Sequence, residues 1–349
     1  MSERNTGRKL AVMATLLMAA CLLNARSNTA AASDEMTVSI GFYPGAIFHT
    51  LQYVADAKGF FKQAGLKATL NPIANGPLMN SQLAAGAIDF GYTAPSLVGV
   101  AQEQGLDLVF LAGNVTMPWI LIARSDLKVP NKGKYPDVIR DLKGLNWGVY
   151  GRASDGEVFM RTMALDAKLD VDKDMAWIGV GGPPSGLPAL KAGKIDVYLT
   201  LSPAPDVATA LGYGQILLDL RKGEGPGNFK GIHYNGLVST RKMAEARPKA
   251  VAALIKASAD AYCWIHNPKN FNELLTILKT RLPVGELSQQ KFEEVVRENI
   301  PTFSLEIPAS HFEVWSEMLM RAKVLKSPAT AATQLWKTVP TSNPKCPTN

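Results

Sequence analysis

The sequence predicts an α/β protein of two similar lobes with a helical tail, and three observations carry that expectation. The segment LAAGAIDFGYT (83–93) nearly recurs as LKAGKIDVYLT (190–200), 107 residues later. Strand-like and helix-like runs alternate through both halves, the pattern of parallel sheets with right-handed crossovers. From Ala244 onward the text is almost wholly helical.

The self-similarity extends well beyond the first motif. Shifted by 107, the chain matches itself without a gap from Ile40 to Leu111, with fifteen identities over 72 positions. They include Gly41/Gly148, Tyr43/Tyr150, Gly86/Gly193, Asp89/Asp196 and Thr93/Thr200. Ordinary composition would give roughly five by chance. Two similar supersecondary units follow, whether or not they share descent.

Each unit reads in the same order. TVSIGFY (37–43) is a strand, 48–65 a helix closed by Gly65, LKATLNPI (66–73) a strand, and 77–86 a helix ending at Gly86. A glycine after a helix supplies the left-handed conformation at little cost. AIDFGYT (87–93) is a third strand, 95–105 a helix and LDLVFLAG (106–113) a fourth strand. The second unit repeats this through 145–150, 155–169, 175–180, 184–193, 194–200, 204–214 and 215–220. Extended stretches at 115–127 and 232–243 join the units twice, and helices are expected over 246–266, 268–282, 287–300, 308–325 and 329–339. Two crossings return the chain to the first lobe, so the helical tail is expected to pack there. Residues 33–120 with 236–349 then form lobe I and 121–235 form lobe II.

Arg4, Arg8 and Lys9 precede an apolar run, LAVMATLLMAACLL (10–23), and small residues ending in TAAA (29–32). That order is a secretory signal, with cleavage expected after Ala32. The run is short for a membrane span. Cys21 is the alternative anchor of a lipoprotein, although Met18 and the continuing Leu22 and Leu23 fit that poorly. Cleavage removes four basic residues and one acidic residue, lowering the net charge from +7 to +4. No Lys/Arg block remains, which excludes a nucleic-acid footprint. Hydrophobic residues make up 47% and charged residues 19% of the chain, a globular composition. Cys263 and Cys346 remain after cleavage, and the sequence leaves open whether they pair or stay separate thiols.

No catalytic constellation stands out. His49, His233, His266 and His311 match no zinc spacing. GVGGPPSG (179–186) is Gly-rich, but its prolines remove N–H donors that a phosphate cradle needs. No cofactor and no metal are expected. In open α/β sheets ligands bind beyond the carboxyl ends of strands, against helix N-termini. That rule selects Tyr43, Phe48, His49, Asn75, Gly76, Thr93, Ala94 and Ser96 in lobe I, with Thr116 and Trp119 near the first crossing. In lobe II it selects Arg152, Ser154, Asp155, Ser185 and Ser202, with Tyr234 on the second crossing. Each has a plainer role: Ser154 and Asp155 also suit a helix start, and Phe48 and Trp119 also suit a core.

GFFKQAGL (59–66), LAAGAIDFGYTAPS (83–96), DLKGLNWGVYGRASDGEVFMRTM (141–163), ALKAGKIDVYLTLSP (189–203) and ARPKAVAALIKASADAYCWIHNPKN (246–270) resemble the periplasmic solute-binding proteins of ABC transporters, within the nitrate/taurine/alkanesulfonate group. The resemblance implies a two-lobed type II periplasmic-binding fold. Each lobe is a mostly parallel sheet flanked by helices, a cleft lies between them, and a helical C-terminal tail rests on lobe I. It implies a non-enzymatic, monomeric protein that hands a small-molecule solute to an ABC permease at the inner membrane. Enzymes of pyrimidine and menaquinone synthesis share the fold, but a secretory signal argues against both. Helix N-termini favour an anion and aromatics a flat or apolar body. The expected solute is therefore a small organic anion, a sulfonate or carboxylate. A neutral heterocycle such as a pyrimidine is the alternative, because Asp155 could accept from an amino group.

Overall fold

The computed structural model describes residues 35–347 except 153 and 286, so the predicted signal segment 1–32 lies outside the described residues. Ten strands organise the rest. In the first half β1 (Met36–Phe42), β2 (Leu66–Pro72), β3 (Gly91–Thr93) and β4 (Leu108–Thr116) follow one another. β5 (Trp119–Arg124) comes next. In the second half lie β6 (Asn146–Val149), β7 (Ala176–Gly179), β8 (Val197–Leu201) and β9 (Gly214–Asp219), and β10 (His233–Thr240) closes the set.

The two sheets have the same plan. The second runs β7-β6-β8-β5-β9. In the first, β2-β1 and β3-β10-β4 are linked by a parallel bridge between Ile40 and Phe90, giving the order β2-β1-β3-β10-β4. The 107-residue shift maps β1 to β4 onto β6 to β9 in turn. The one antiparallel strand of each sheet is supplied by a crossing: β5 enters the second sheet between β8 and β9, and β10 returns between β3 and β4. Each sheet is thus incomplete without a strand that the chain reaches only by crossing.

The repeated motif explains itself in this frame. Gly86 and Gly193 take φ of 68° and 67° after their helices, a region where a Cβ is costly. Asp89 then accepts a hydrogen bond from the Ser39 N–H (2.9 Å), and Asp196 accepts one from the Asn146 N–H (2.9 Å). Ser39 and Asn146 are themselves 107 apart. Arg247 and Arg124 balance the two carboxylates at 3.2 and 3.3 Å. Both aspartates therefore tie the segments leading into β3 and β8 to the neighbouring strands β1 and β6, and each is ion-paired.

Two expected helices differ. The run 48–65 breaks into a short 3₁₀ turn, Thr50–Ala57 and Phe60–Gln63, because Gly59 adopts φ 68° and ends the first helix. The run 329–339 forms a helix only over Ala331–Gln334, started by a capping box at Thr330. Leu335 then turns extended and bridges Phe110 in parallel on the edge of β4. Pairing with an open strand edge there outweighs helical propensity.

Pro248–His266, Phe271–Lys279 and Gln289–Asn299 pack on the first sheet, burying Leu254, Leu274 and Phe292 with Val38 and Leu51. Ser310–Arg321 does not stay with them. Its Trp315 and Leu319 join the cluster of Trp119, Trp147 and Phe159, and the Trp315 indole donates to the His233 carbonyl (2.7 Å) at the start of β10. The tail therefore covers the start of β10 as well as the first sheet.

Cys263 and Cys346 form a disulfide that staples the chain end to Pro248–His266. It closes a loop of 83 residues, for which chain entropy gives roughly 3–5 kcal/mol of stabilisation. Thermal unfolding under reducing conditions is expected to show a midpoint lower by several degrees. An unchanged midpoint would mean that the tail is held by packing alone.

Candidate functional site

The strand ends of both sheets and the two crossings enclose a cavity of about 530 Å³. An aromatic wall lines it in ring-to-ring contact. Tyr43 meets Phe48 (6.2 Å), Phe48 meets Tyr234 (6.1 Å), Tyr234 meets Trp119 (5.6 Å) and Trp119 meets Tyr150 (5.3 Å). These rings come from the ends of β1 and β6 and from both crossing strands. Burial holds the Tyr43, Tyr150 and Tyr234 hydroxyls well above the usual phenol range, so they stay protonated and can donate. The Trp119 indole N–H is buried beside the Tyr234 hydroxyl. Asn75, Ser154, Ser185, Ser202 and Asn235 complete the polar lining.

The charges of the lining decide its character. Asp155 opens the helix Asp155–Asp166 after the N-cap Ser154, whose hydroxyl accepts from the Glu157 N–H. The Asp155 carboxyl is 7% exposed and has no ion-pair partner among the described residues. Its Oδ1 accepts a hydrogen bond from Ser96 Oγ, which starts a helix of the other half. Desolvation lifts its pKa to about 7, while its own backbone N–H and the Tyr234 hydroxyl pull the other way. Arg152 is the cationic residue of the lining, but its guanidinium lies 3.2 Å from the buried Glu157 carboxylate. Glu157 also holds Arg161 at 2.8 Å. Arg152 thus shares one carboxylate with Arg161, whereas Asp155 faces the cavity with no ion-pair partner among the described residues.

Of the residues expected from sequence, Tyr43, Phe48, Asn75, Gly76, Ala94, Trp119, Arg152, Ser154, Asp155, Ser185, Ser202 and Tyr234 line this cavity. Four do not. His49 is wholly buried: its Nε2 accepts from the Tyr43 N–H (3.0 Å) and its Nδ1 donates to Gln52 (2.9 Å). Burial lowers its pKa to about 3, so it is a neutral brace for the β1 end. Thr93 is fully buried at the end of β3, beneath Tyr43. Thr116 points away and donates to the Thr302 carbonyl (3.1 Å). Ser96 is buried and spends its hydroxyl on Asp155. Sequence reasoning passed over Tyr150, Leu97, Ile73 and Asn235, all in the lining. Tyr150 was within reach as the repeat partner of Tyr43, and Asn235 as the neighbour of Tyr234.

The Asp155 carboxyl makes stability depend on pH. Its pKa is raised from 3.8 to about 7, so the folded state keeps a proton that the unfolded chain releases. The associated stability is complete below about pH 4 and is lost as pH rises through 7. At pH 8 the charged, buried carboxylate costs roughly 4 kcal/mol. Asp155→Asn is expected to raise the melting temperature of the solute-free protein at pH 8, with a gain that shrinks towards pH 4. Equal melting temperatures for variant and parent at pH 8 would show that Asp155 is not desolvated.

The fold is that of known solute-binding proteins. The alkanesulfonate-binding protein SsuA from Xanthomonas axonopodis pv. citri, solved bound to MOPS, superposes with a TM-score of 0.70 at 18% identity, over 86% of this chain and 98% of that one. The periplasmic nitrate-binding protein NrtA from Synechocystis PCC 6803 gives 0.67 at 17% identity, over 85% and 84%. Both establish the two-lobed type II periplasmic-binding architecture. A binding protein of Brucella abortus (strain 2308) is 25% identical over 142 residues, a match that spans 41% of this chain and 41% of the relative's length. The family model described as NMT1-like matches residues 31–279, and the chain belongs to the NMT1-like family.

Proposed function

We propose that this protein is the solute-binding component of an ABC importer and captures a small, flat solute that presents N–H donors, such as an aminopyrimidine. The uncompensated Asp155 carboxyl in an aromatic cavity is the observation that carries the solute class. A buried carboxylate is stabilised by donated hydrogen bonds, and tyrosine and tryptophan rings suit a planar body. A sulfonate or carboxylate would sit against Asp155 with Arg152 already engaged by Glu157. An anion would bind only with Asp155 kept protonated, since two anions out of water repel, so the expected organic anion is the weaker reading.

The division into lobe I (33–120 and 236–349) and lobe II (121–235) makes β5 and β10 the hinge strands. Solute contacts from both lobes supply the differential free energy that closure requires. Export, cleavage after Ala32 and a periplasmic location fit the basic and apolar start and supply access to a membrane permease.

Native mass spectrometry of protein from the periplasmic fraction is expected to give a chain starting at Ser33 carrying an unmodified, nitrogen-rich small molecule. Titration calorimetry with aminopyrimidines, alkanesulfonates and carboxylates then tests the class. Asp155→Asn is expected to weaken an aminopyrimidine about tenfold or more. Tight binding of a sulfonate, kept or improved by Asp155→Asn, would overturn the N–H-donor reading and restore the anion.

A further inference from the structure

The helix Gln289–Asn299 belongs to the first lobe by its apolar face. Phe292, Val295 and Val296 are buried with Val38, Leu51 and Leu254. Its charged side is answered from the second lobe. Lys291 Nζ lies 3.4 Å from Asp206 Oδ1, Glu298 Oε2 lies 3.0 Å from Arg221 Nη2, and Glu298 Oε1 lies 3.1 Å from Lys222 Nζ. Asp206 follows the end of β8, and Arg221 and Lys222 follow β9.

This network reaches the cavity wall. Arg221 is held by Asp219 (2.7 Å), and its Nη1 donates to Ser202 Oγ (3.2 Å), a residue of the lining. The side chain of Arg221 is 6% exposed. Burial raises the pKa of Asp206 while Lys291 and Arg221 oppose the rise, and Asp206 Oδ2 has no hydrogen-bond partner. The strengths are graded. Lys222 and Lys291 are substantially solvated, and such pairs contribute little. In the Arg221–Glu298 pair the guanidinium is buried and the carboxylate only partly exposed, so breaking it costs more than breaking a solvated pair. Separation of the lobes leaves Arg221 with Asp219 and passes the partly exposed Glu298 to water. A contact of that kind is strong enough to bias closure and weak enough to release.

We propose that Arg221 is a positioning residue that orients Ser202 at the cavity wall and, through Glu298, latches the two lobes together. The proposal rests on the hinged two-lobe reading above and assigns the latch to specific residues. Ala85→Cys and Ala192→Cys place one spin label on each lobe at positions related by the 107-residue repeat, with the native disulfide left intact. Pulsed electron resonance on the solute-free protein in low salt is expected to show a dominant short distance. Glu298→Gln should lower the ratio of short to long populations about tenfold, and 1 M salt should act in the same direction. Lys291→Met should have a smaller effect. Arg221→Gln should open the lobes, and Arg221→Lys should restore much of the short population. Overlapping distributions for parent, Glu298→Gln and Lys291→Met, with two distances present in each, would overturn the latch and leave the hinge standing. A single narrow distance in every variant and at both salt concentrations would overturn latch and hinge together.

Discussion

A carboxyl group taken out of water without a cation beside it must either keep its proton or find donors, and Asp155 is in that position. The surrounding arrangement follows from this constraint. Ser96 donates to it from the other half of the chain, and the Tyr234 hydroxyl faces it from a crossing strand. The nearby guanidinium is diverted to Glu157. The proposed solute would supply further donors and so recover stability given up at this site, the usual relation between a strained site and its function.

The exchange of strands makes that constraint mechanically useful. Trp119 begins β5 and Tyr234 lies on β10, so the two walls nearest Asp155 belong to the two crossing strands. Neither sheet is complete without the strand that a crossing supplies. The helix Ser310–Arg321 packs over this junction, and Trp315 holds the His233 carbonyl.

Much of this was legible in the sequence because it is periodic or local. The shift of 107 residues gave four strand correspondences, the two glycine helix ends and the paired aspartate ties. Strand ends followed by helix starts pointed to twelve residues that line the cavity. His49, Thr93, Ser96 and Thr116 share those strand-end neighbourhoods, but which side of a turn faces the cleft depends on packing from distant segments. Gln52 and Asn114 turn His49 inward, and Thr302 takes the Thr116 hydroxyl. The run 329–339 misleads for a similar reason: its helix is shortened by an edge of β4 more than 200 residues earlier in the chain. The links Arg221–Glu298 and Cys263–Cys346 join segments far apart in sequence, and neither leaves a local pattern.

The central claim is the protonation state of one carboxyl. Carbon-13 NMR of the Asp155 side-chain carboxyl, assigned by comparison with Asp155→Asn, follows it directly through a pH titration. The account predicts a midpoint near 7 in the solute-free protein, with the carboxylate persisting to lower pH once an aminopyrimidine is bound. A midpoint near 4 that is indifferent to that ligand would contradict it.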